Sequence, residues 1–293
     1  MTIVERAIER LRRQGGHSTS PATVAVGTMV HESAPDLAQA SSARRILIDR
    51  DALRHAGYLP ETAVDRRFAS YFRQIKRPLI TKVQSAADAA GPSPRVIVMT
   101  SALPGDGKTF TSINLALSLA HERDVSVVLV DADIPKPHVS RIFGVDAEPG
   151  LTDALASVDL DIESLVLPTD VGNLSVLPAG RGADNATELL ASARMGAVLT
   201  RLLSRHPRRI VLLDSPPLMV SSEARSLVAI AGQLVMVVRS GRTPRKAVLD
   251  ALTEIGGERS VSLVLNQGPT GFGGGYGAYG DYGAYGESGA EKA

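Results

Sequence analysis

The sequence contains no cysteine and no tryptophan, and aromatic residues make up only 4% of its 293 residues. Without cysteine the chain can form no disulfide, no thiolate zinc site, no cysteine-bound iron–sulfur cluster and no cysteine nucleophile. Because aromatic residues are scarce, their positions are informative. Four of the six tyrosines lie in the last 18 residues, so this end of the chain differs in kind from the rest.

The sequence also lacks an excess of charge and a long apolar run. Its 32 basic and 31 acidic residues give a net charge of +1, which provides no overall field to attract nucleic acid, so no nucleic-acid partner is expected. The longest nearly apolar stretch is Leu227–Val238, which is shorter than the roughly 20 residues of a membrane span. The first residues contain no apolar secretory core. A cytoplasmic protein is therefore expected.

Composition divides the chain into regions of different character. Residues 2–13 carry apolar side chains on one helical face, which predicts an amphipathic helix followed by a linker rich in Gly, Ser and Pro. In the next region Pro78 is expected to end or kink a helix. The last region contains ten glycines and cannot pack a core, which predicts a flexible, disordered tail. The predicted regions are an N-terminal helix and linker over 1–42, a helical lead-in over 43–90, a main domain over 91–267 and a tail over 268–293.

Between residues 95 and 267, apolar runs of strand length alternate with segments of helical periodicity. This alternation is typical of a mostly parallel sheet flanked by helices, so an α/β fold is predicted. Ligands of such sheets bind beyond the carboxyl ends of the strands. Thr243 before Pro244 predicts a helix start with a hydroxyl N-cap. The predicted strands are 96–100, 126–131, 174–177, 210–214, 234–239 and 262–266, and the predicted helices are 108–121, 186–205, 222–231 and 244–256.

The strongest functional signal follows the first predicted strand. The segment Ala102-Leu-Pro-Gly-Asp-Gly-Lys-Thr109 opens an apolar helix. Its glycines let backbone N–H groups converge on phosphate oxygens, and the helix start adds its positive dipole end. Lys108 is expected to reach the β and γ phosphates, and the Thr109 hydroxyl is expected to bind Mg²⁺. The predicted nucleotide-binding residues of this phosphate loop are Gly105, Asp106, Gly107, Lys108, Thr109 and Phe110.

Carboxylates end two further predicted strands. Asp131 and Asp133 lie at the end of one strand, and Asp214, followed by Ser-Pro-Pro, ends another. If the strands are neighbours, these carboxylates lie beside the phosphate loop, where they could hold Mg²⁺ or accept a hydroxyl proton. Asp214 fits the Walker B position, whose carboxylate supports the Mg²⁺ shell. These features predict a protein that binds Mg²⁺ and a nucleotide, but they do not identify the acceptor of the γ-phosphate.

Gly105–Thr109, Asp131-Ala-Asp133 and Asp214–Pro217, followed by a tyrosine-rich end, resemble the bacterial tyrosine kinases, or BY-kinases. The resemblance implies a P-loop NTPase fold of the class that includes the ParA and MinD ATPases. It also implies an ATP-dependent autokinase that phosphorylates a C-terminal tyrosine cluster and regulates exopolysaccharide biosynthesis and export.

Segments nearer the start of the chain carry a second resemblance. Ile3–Leu11, Asp51–Gly57 and Phe72–Pro78 are similar to the exosortase-associated autokinase branch. That branch implies a free-standing kinase with a separate membrane-bound activator of the chain-length-determinant type. It also implies self-association, trans-autophosphorylation, a cognate phosphatase and attachment to the inner membrane through the partner.

The resemblance to BY-kinases implies a role for each site residue. Lys108 would stabilise charge on the transferring phosphoryl group, and Asp131 would be the base toward the tyrosine hydroxyl. Thr109 and Asp133 would ligate Mg²⁺, and Asp214 would support the ion through its hydration shell. The remaining implied residues are Asn266, which resembles an adenine-contacting asparagine, and the phosphoacceptors Tyr276, Tyr279, Tyr282 and Tyr285.

The chain departs from the family pattern in the phosphate loop, where Ala102 replaces a glycine, and at two further motifs. Pro135 stands where the family has an arginine after its second aspartate, and Lys136 is the nearest basic residue. The helix that forms rings in the family carries Glu-x-x-Arg-x-x-Arg, whereas this chain has Ser70, Arg73 and Lys76. A ring held by that Glu–Arg contact is therefore not assured.

Two other functions stay open at this point. One is a ParA- or MinD-like positioning ATPase, although the signature lysine of that class is replaced here by Leu103. The other is a scaffold of polysaccharide machinery that binds nucleotide without transferring phosphate.

Overall fold

The computed structural model describes residues 45–59, 65–85, 91–157, 159–181, 186–256 and 259–268. The helices are α1 Arg50–His55, α2 Asp65–Ser85, α3 Lys108–Ala120, α4 His138–Ile142, α5 Leu151–Ala156, α6 Ala186–Ala191, α7 Ala193–Arg205, α8 Ser222–Ile230 and α9 Arg245–Ile255. The strands are β1 Val96–Ser101, β2 Ser126–Asp131, β3 Leu167–Pro168, β4 Leu174–Leu177, β5 Arg209–Asp214, β6 Gln233–Arg239 and β7 Val261–Asn266. Two 3₁₀ turns cover Ile162–Leu165 and Leu218–Val220.

The strands form one sheet in the order β3-β4-β2-β5-β1-β6-β7. Every pairing is parallel except that of β3 with β4, so the predicted mostly parallel sheet is confirmed. β1 and β2 are not direct neighbours, because β5 pairs with both. The end of β5 therefore lies between the phosphate loop and the end of β2.

The central strands are buried on both faces, and their middle residues are continuously apolar. All six residues of β1 and all six of β5 are buried. Side chains that alternate along these strands enter two separate cores, one on each face of the sheet. Helices cover both faces, as the alternation of strands and helices predicts.

The lead-in segment packs against the domain. Ile46 donates its N–H to Pro168 O at 2.8 Å and accepts from Asp170 N at 3.0 Å, which extends the sheet beside β3. On α2, the Lys76 ammonium donates to Ser118 O at 2.8 Å and forms an ion pair with Glu122 at 2.6 Å. These contacts attach the lead-in to the sheet edge and to α3, the helix that follows the phosphate loop.

Two helix predictions are corrected by the structure. The prediction that Pro78 ends its helix is wrong, because α2 continues through it to Ser85, and the alternative of a kink stays a prediction. Burial of the apolar face of α2, with Leu79 1% exposed, offsets the hydrogen bond that proline removes. The helix predicted over 186–205 is two helices. Ser192 adopts an extended conformation between them, and its side chain accepts from Arg194 N to cap α7.

The predicted amphipathic helix over 2–13 and the predicted tail lie outside the described residues. Within the described ranges, no helix has the length and apolar character needed to cross a membrane.

Candidate active site at the phosphate loop

The phosphate loop turns sharply between β1 and α3. Gly105 and Gly107 have φ angles of +85° and +94°, a left-handed conformation that disfavours residues with a side chain. α3 begins directly after Gly107, and in the described part of the chain no side chain caps this start and its first turn holds no acidic residue. Its backbone N–H groups therefore remain available to an anion.

Lys108 directs its charge toward the carboxylates. The residue is only 8% exposed, and its Nζ lies 4.0 Å from Asp133 Oδ2. Asp133 is also buried, at 6% exposure. Burial raises the pKa of Asp133, and the nearby Lys108 charge partly opposes that effect.

Asp214 connects the end of β5 to α3. Its two carboxylate oxygens accept from Thr109 Oγ1 at 2.7 Å and from Ser112 Oγ at 2.8 Å. Burial raises the pKa of Asp214, while Lys108 and the two hydroxyl donors oppose that shift. Sequence analysis did not identify Ser112, although its position three residues after Thr109 places both hydroxyls on one face of the helix.

Asp131, at the end of β2, is completely buried. Its Oδ2 accepts from both the N–H and the Oγ of Ser140, each at 2.7 Å. Its Oδ1 has no hydrogen-bond partner among the residues that the structure describes. Burial, with the charges of Asp214 and Asp133, raises the pKa of Asp131 to about 7, although the hydrogen bonds from Ser140 lower it.

Ser140 was also missed by sequence analysis. It lies on α4, nine residues after Asp131, and no recognised motif marks it. Its Oγ also accepts from Ala179 N at 3.0 Å, so it connects β2 with the segment after β4.

The donor set fits a hard divalent cation such as Mg²⁺. Lys108 supplies one positive charge beside the buried carboxyl groups of Asp131, Asp133 and Asp214, and the oxygen ligands are those that Mg²⁺ prefers. Across the described ranges, no three acidic or histidine side chains converge on one point. A cation here would therefore take one or two protein oxygens and complete its shell with phosphate oxygens and water.

Asp106 turns its carboxylate into the loop rather than outward. Oδ2 accepts from Leu103 N at 3.3 Å, and Oδ1 accepts from Thr243 Oγ1 at 2.6 Å. The prediction that Thr243 caps α9 is wrong, because its hydroxyl is used in this bond and Pro244 occupies the N-cap position. Only the backbone of Asp106 is left to contact a nucleotide.

Asn266 lies against the phosphate loop. Its Nδ2 donates to Asp106 O at 2.9 Å, and a Cβ placed on Gly107 would come within 2.0 Å of the same atom. The structure thus brings together the loop and Lys108, Asp131, Asp133, Asp214 and Asn266. Phe110 is turned toward the lead-in, where its ring contacts Phe68 with centroids 5.7 Å apart.

The structure also describes residues of the two motifs in which this chain differs from the family pattern. Pro135 and Lys136 are exposed in the loop after Asp133, and Lys136 N donates to Asp133 O at 3.0 Å. On α2, Arg73 is exposed whereas Lys76 is buried and paired with Glu122. The Lys76 ammonium therefore already has its partners within the chain. The four tail tyrosines lie outside the described residues.

Comparison with known proteins is consistent with this geometry. The model of the AAA_31 family, described as an AAA domain, matches residues 94–249. The chain is 34% identical over 160 residues to the tyrosine-protein kinase Wzc of Salmonella typhimurium, which covers 54% of this chain and 21% of Wzc. It is 32% identical over 155 residues to the tyrosine-protein kinase YwqD of Bacillus subtilis, which covers 53% of this chain and 64% of YwqD.

A solved structure shows the same fold. The kinase domain of the Escherichia coli tyrosine kinase ETK superposes with a TM-score of 0.59 and 25% identity over 74% of this chain and 85% of that domain. Because the match covers only about a fifth of Wzc, this chain corresponds to one part of that protein.

Proposed function

The chain belongs to the AAA domain family, and from that premise we propose that it is an ATP-dependent protein-tyrosine autokinase of the bacterial type. Its P-loop NTPase fold and its similarity to Wzc, YwqD and the ETK kinase domain are the family background for this proposal. The acceptors are Tyr276, Tyr279, Tyr282 and Tyr285 near its own C-terminus.

One observation carries the proposal. At the carboxyl ends of neighbouring strands, Thr109 bonds Asp214 of β5, and Lys108 lies 4.0 Å from Asp133, which follows β2. Phosphoryl transfer needs mainly positioning and charge stabilisation, and this cluster supplies a cation and oxygen ligands beside an uncapped helix start. Buried carboxyl groups whose pKa values are raised occur often at functional sites.

Each residue of the site would have its own role in phosphoryl transfer. The phosphate loop binds the ATP phosphates through backbone N–H groups, and Lys108 stabilises charge on the γ-phosphoryl group. The tyrosine hydroxyl oxygen forms a bond to the γ-phosphorus while the bond to the β–γ bridging oxygen breaks, and ADP leaves. The phenolic proton would go to Asp131, whose pKa of about 7 suits a base and whose buried Oδ1 has no hydrogen-bond partner in the described structure.

Mg²⁺ would be held by Thr109 and Asp133, with Asp214 acting through water, and when bound it would neutralise charge on the phosphate oxygens. Asp214 also accepts from Thr109 and thereby orients that hydroxyl. Asn266 contributes by supporting the loop backbone, and it retains one amide hydrogen and its carbonyl oxygen for an adenine ring.

The tail leaves the domain near its own site. Asn266 contacts Asp106, and Tyr276 is ten positions after Asn266 in sequence, a span of at most about 35 Å. Each phosphate added to the tail would contribute about −1.5 to −2 charges. Multiple phosphorylation would therefore change how the tail interacts with basic surfaces.

The wider role extends this proposal through the family resemblance. A cytoplasmic kinase at the inner membrane would regulate exopolysaccharide synthesis and export through a separate membrane-bound activator. Self-association would bring tails to neighbouring sites, and a phosphatase would reset them. Because Lys76 is paired within the chain, association through that position needs different contacts from those of the family ring.

The direct test is intact-mass analysis after incubation with Mg-ATP, with and without a purified activator. Wild-type protein should gain several phosphates, and Lys108→Met should gain none. Lys246→Met, an exposed lysine paired only with Asp250 in the described structure, is the matched control and should behave as wild type.

The acceptor assignment needs a second pair of variants. Phenylalanine at all four tail tyrosines should remove the added mass, whereas Tyr71→Phe, at an exposed tyrosine of α2, should not. ATP hydrolysis without added mass would instead favour a positioning ATPase. Nucleotide binding without hydrolysis or transfer would favour the scaffold.

A further inference from the structure

A hydrogen-bonded bridge joins the phosphate loop to the turn after β6. The Thr243 hydroxyl donates to Asp106 Oδ1 at 2.6 Å and accepts from Arg239 N at 3.0 Å. A hydroxyl has one donor and can accept as well, so both capacities are used. Asp106 is only 3% exposed, which leaves its carboxylate little access to water.

The end of β7 closes this bridge into a ring. Asn266 donates to Asp106 O at 2.9 Å, and its own backbone carbonyl accepts from Ser240 N at 2.8 Å. Ser240 begins the turn that contains Thr243, and Arg239 is the last residue of β6 directly before it. Asp106 is therefore held through its side chain by one strand end and through its backbone by another.

The position of Asp106 makes this support relevant to ligand binding. The residue lies between Gly105 and Gly107, which have no side chains of their own to restrict the loop backbone. Most of the conformational restraint on this segment must therefore come from hydrogen bonds such as those of Asp106. Leu103 N, which also donates to the Asp106 carboxylate, ties the start of the loop to the same group.

We propose that Thr243 is a positioning residue for nucleotide binding: its hydroxyl holds Asp106 so that the loop keeps its phosphate-binding conformation before ATP arrives. Thr243 lies 137 residues from Asp106 in sequence and acts through Asp106 rather than on the nucleotide. The inference rests on the proposed function only in that the loop binds nucleotide phosphates.

The expected effect follows from the fraction of molecules in which the loop is correctly formed. Thr243→Val keeps the shape of the side chain but removes the bond to a buried carboxylate and leaves Arg239 N without its acceptor. If the binding-competent loop then falls to about one tenth of the population, the apparent Kd rises about tenfold. Bound nucleotide reforms the loop, so kcat at saturating ATP stays within about twofold of wild type.

The experiment measures Mg-ADP affinity by isothermal titration on the full chain, together with ATP KM and kcat from the phosphorylation assay. Thr243→Ser retains the hydroxyl and should bind within about twofold of wild type. Thr253→Val is the matched control, because that hydroxyl bonds only Leu249 O of its own helix α9 in the described structure. It should bind as wild type.

A double-mutant cycle separates positioning from general structural support. In the background of Asp106→Ala, Thr243→Val should cause no further loss of affinity, because its partner is already absent. A tenfold loss that persists in that background would overturn the inference. So would an unchanged Kd in Thr243→Val, whatever its melting temperature, or a Thr243→Ser variant as weak as Thr243→Val.

The outcomes also distinguish the two proposals. If wild-type protein fails to bind Mg-ADP, the proposed function fails and this inference fails with it. If wild type binds and Thr243→Val binds equally well, only the inference fails.

Discussion

Replacing Asp131 with asparagine should stabilise the nucleotide-free protein while removing its activity. Asp131 is completely buried, and its pKa rises from 3.8 to about 7 because of burial and of the charges of Asp214 and Asp133. Since the folded state binds this proton more tightly than the unfolded state, ionising Asp131 costs stability as pH rises from 3.8 to 7. That cost is complete above pH 7 and absent below pH 3.8.

The magnitude follows from the two pKa values. A gap of about 3 pH units at about 1.4 kcal/mol each corresponds to about 4 kcal/mol at pH 8. The introduced asparagine would be neutral at every pH, and its carbonyl can accept the two Ser140 bonds. Its amide group would occupy the place of Oδ1, which lacks a partner, and an unpaired buried donor costs about 1–3 kcal/mol. Asp131→Asn should therefore gain about 1–3 kcal/mol at pH 8.

The assay is urea denaturation followed by circular dichroism between pH 5 and pH 8, in EDTA and without nucleotide. The stability advantage of Asp131→Asn should shrink by about 2–3 kcal/mol from pH 8 to pH 5. Asp146→Asn, at an exposed carboxylate in the described structure, should show no such trend. An Asp131→Asn advantage that is the same at every pH, or a variant less stable at pH 8, would refute the reasoning. The phosphorylation assay should show loss of transfer in the same variant.

Further predictions concern the loop and the lead-in. Gly107→Ala should lower stability by about 1–3 kcal/mol and weaken Mg-ADP binding, because φ is +94° and the new Cβ would meet Asn266. Gly196→Ala, in the middle of α7 with open space around it, should instead stabilise by about 0.5–1 kcal/mol, and urea denaturation compares the two. Lys76→Met should lower the free energy of unfolding by about 1–3 kcal/mol, since it removes the bond to Ser118 O of α3 and the ion pair with Glu122 just beyond that helix. Unchanged stability in Lys76→Met would show that this contact does not hold the lead-in.

The AAA family model matches residues 94–249, and the lead-in that precedes this range packs against the same domain. Ile46 extends the sheet edge, Lys76 binds the end of α3, and Phe68 contacts Phe110 one residue after Thr109. The lead-in thus reaches both ends of the helix that follows the phosphate loop. A change in the lead-in is therefore expected to alter the position of α3 and, through it, the nucleotide site.

The sequence by itself determined the local parts of this protein. Mostly apolar runs predicted β1, β2, β4, β5 and β6 to within a residue or so, since a buried parallel strand needs little else. The apolar residues of β7 predicted that strand too, although it lies at the sheet edge and is partly exposed. The phosphate loop was equally predictable, because Gly105, Gly107 and Lys108 are neighbours in sequence and their chemistry depends on local geometry. The two-residue strand β3 carried too little pattern to be found.

Only the tertiary structure decided how these parts combine. Strand order placed β5 between β1 and β2, and so made Asp214 the central carboxylate. It also brought Ser140 to Asp131, Lys76 to Ser118 and Thr243 to Asp106. Serine, threonine and lysine form hydrogen bonds in many settings, so their partners are set by chain packing over long sequence separations. For that reason the sequence predicted Thr243 as a helix cap, whereas in the fold its hydroxyl donates to Asp106 of the phosphate loop.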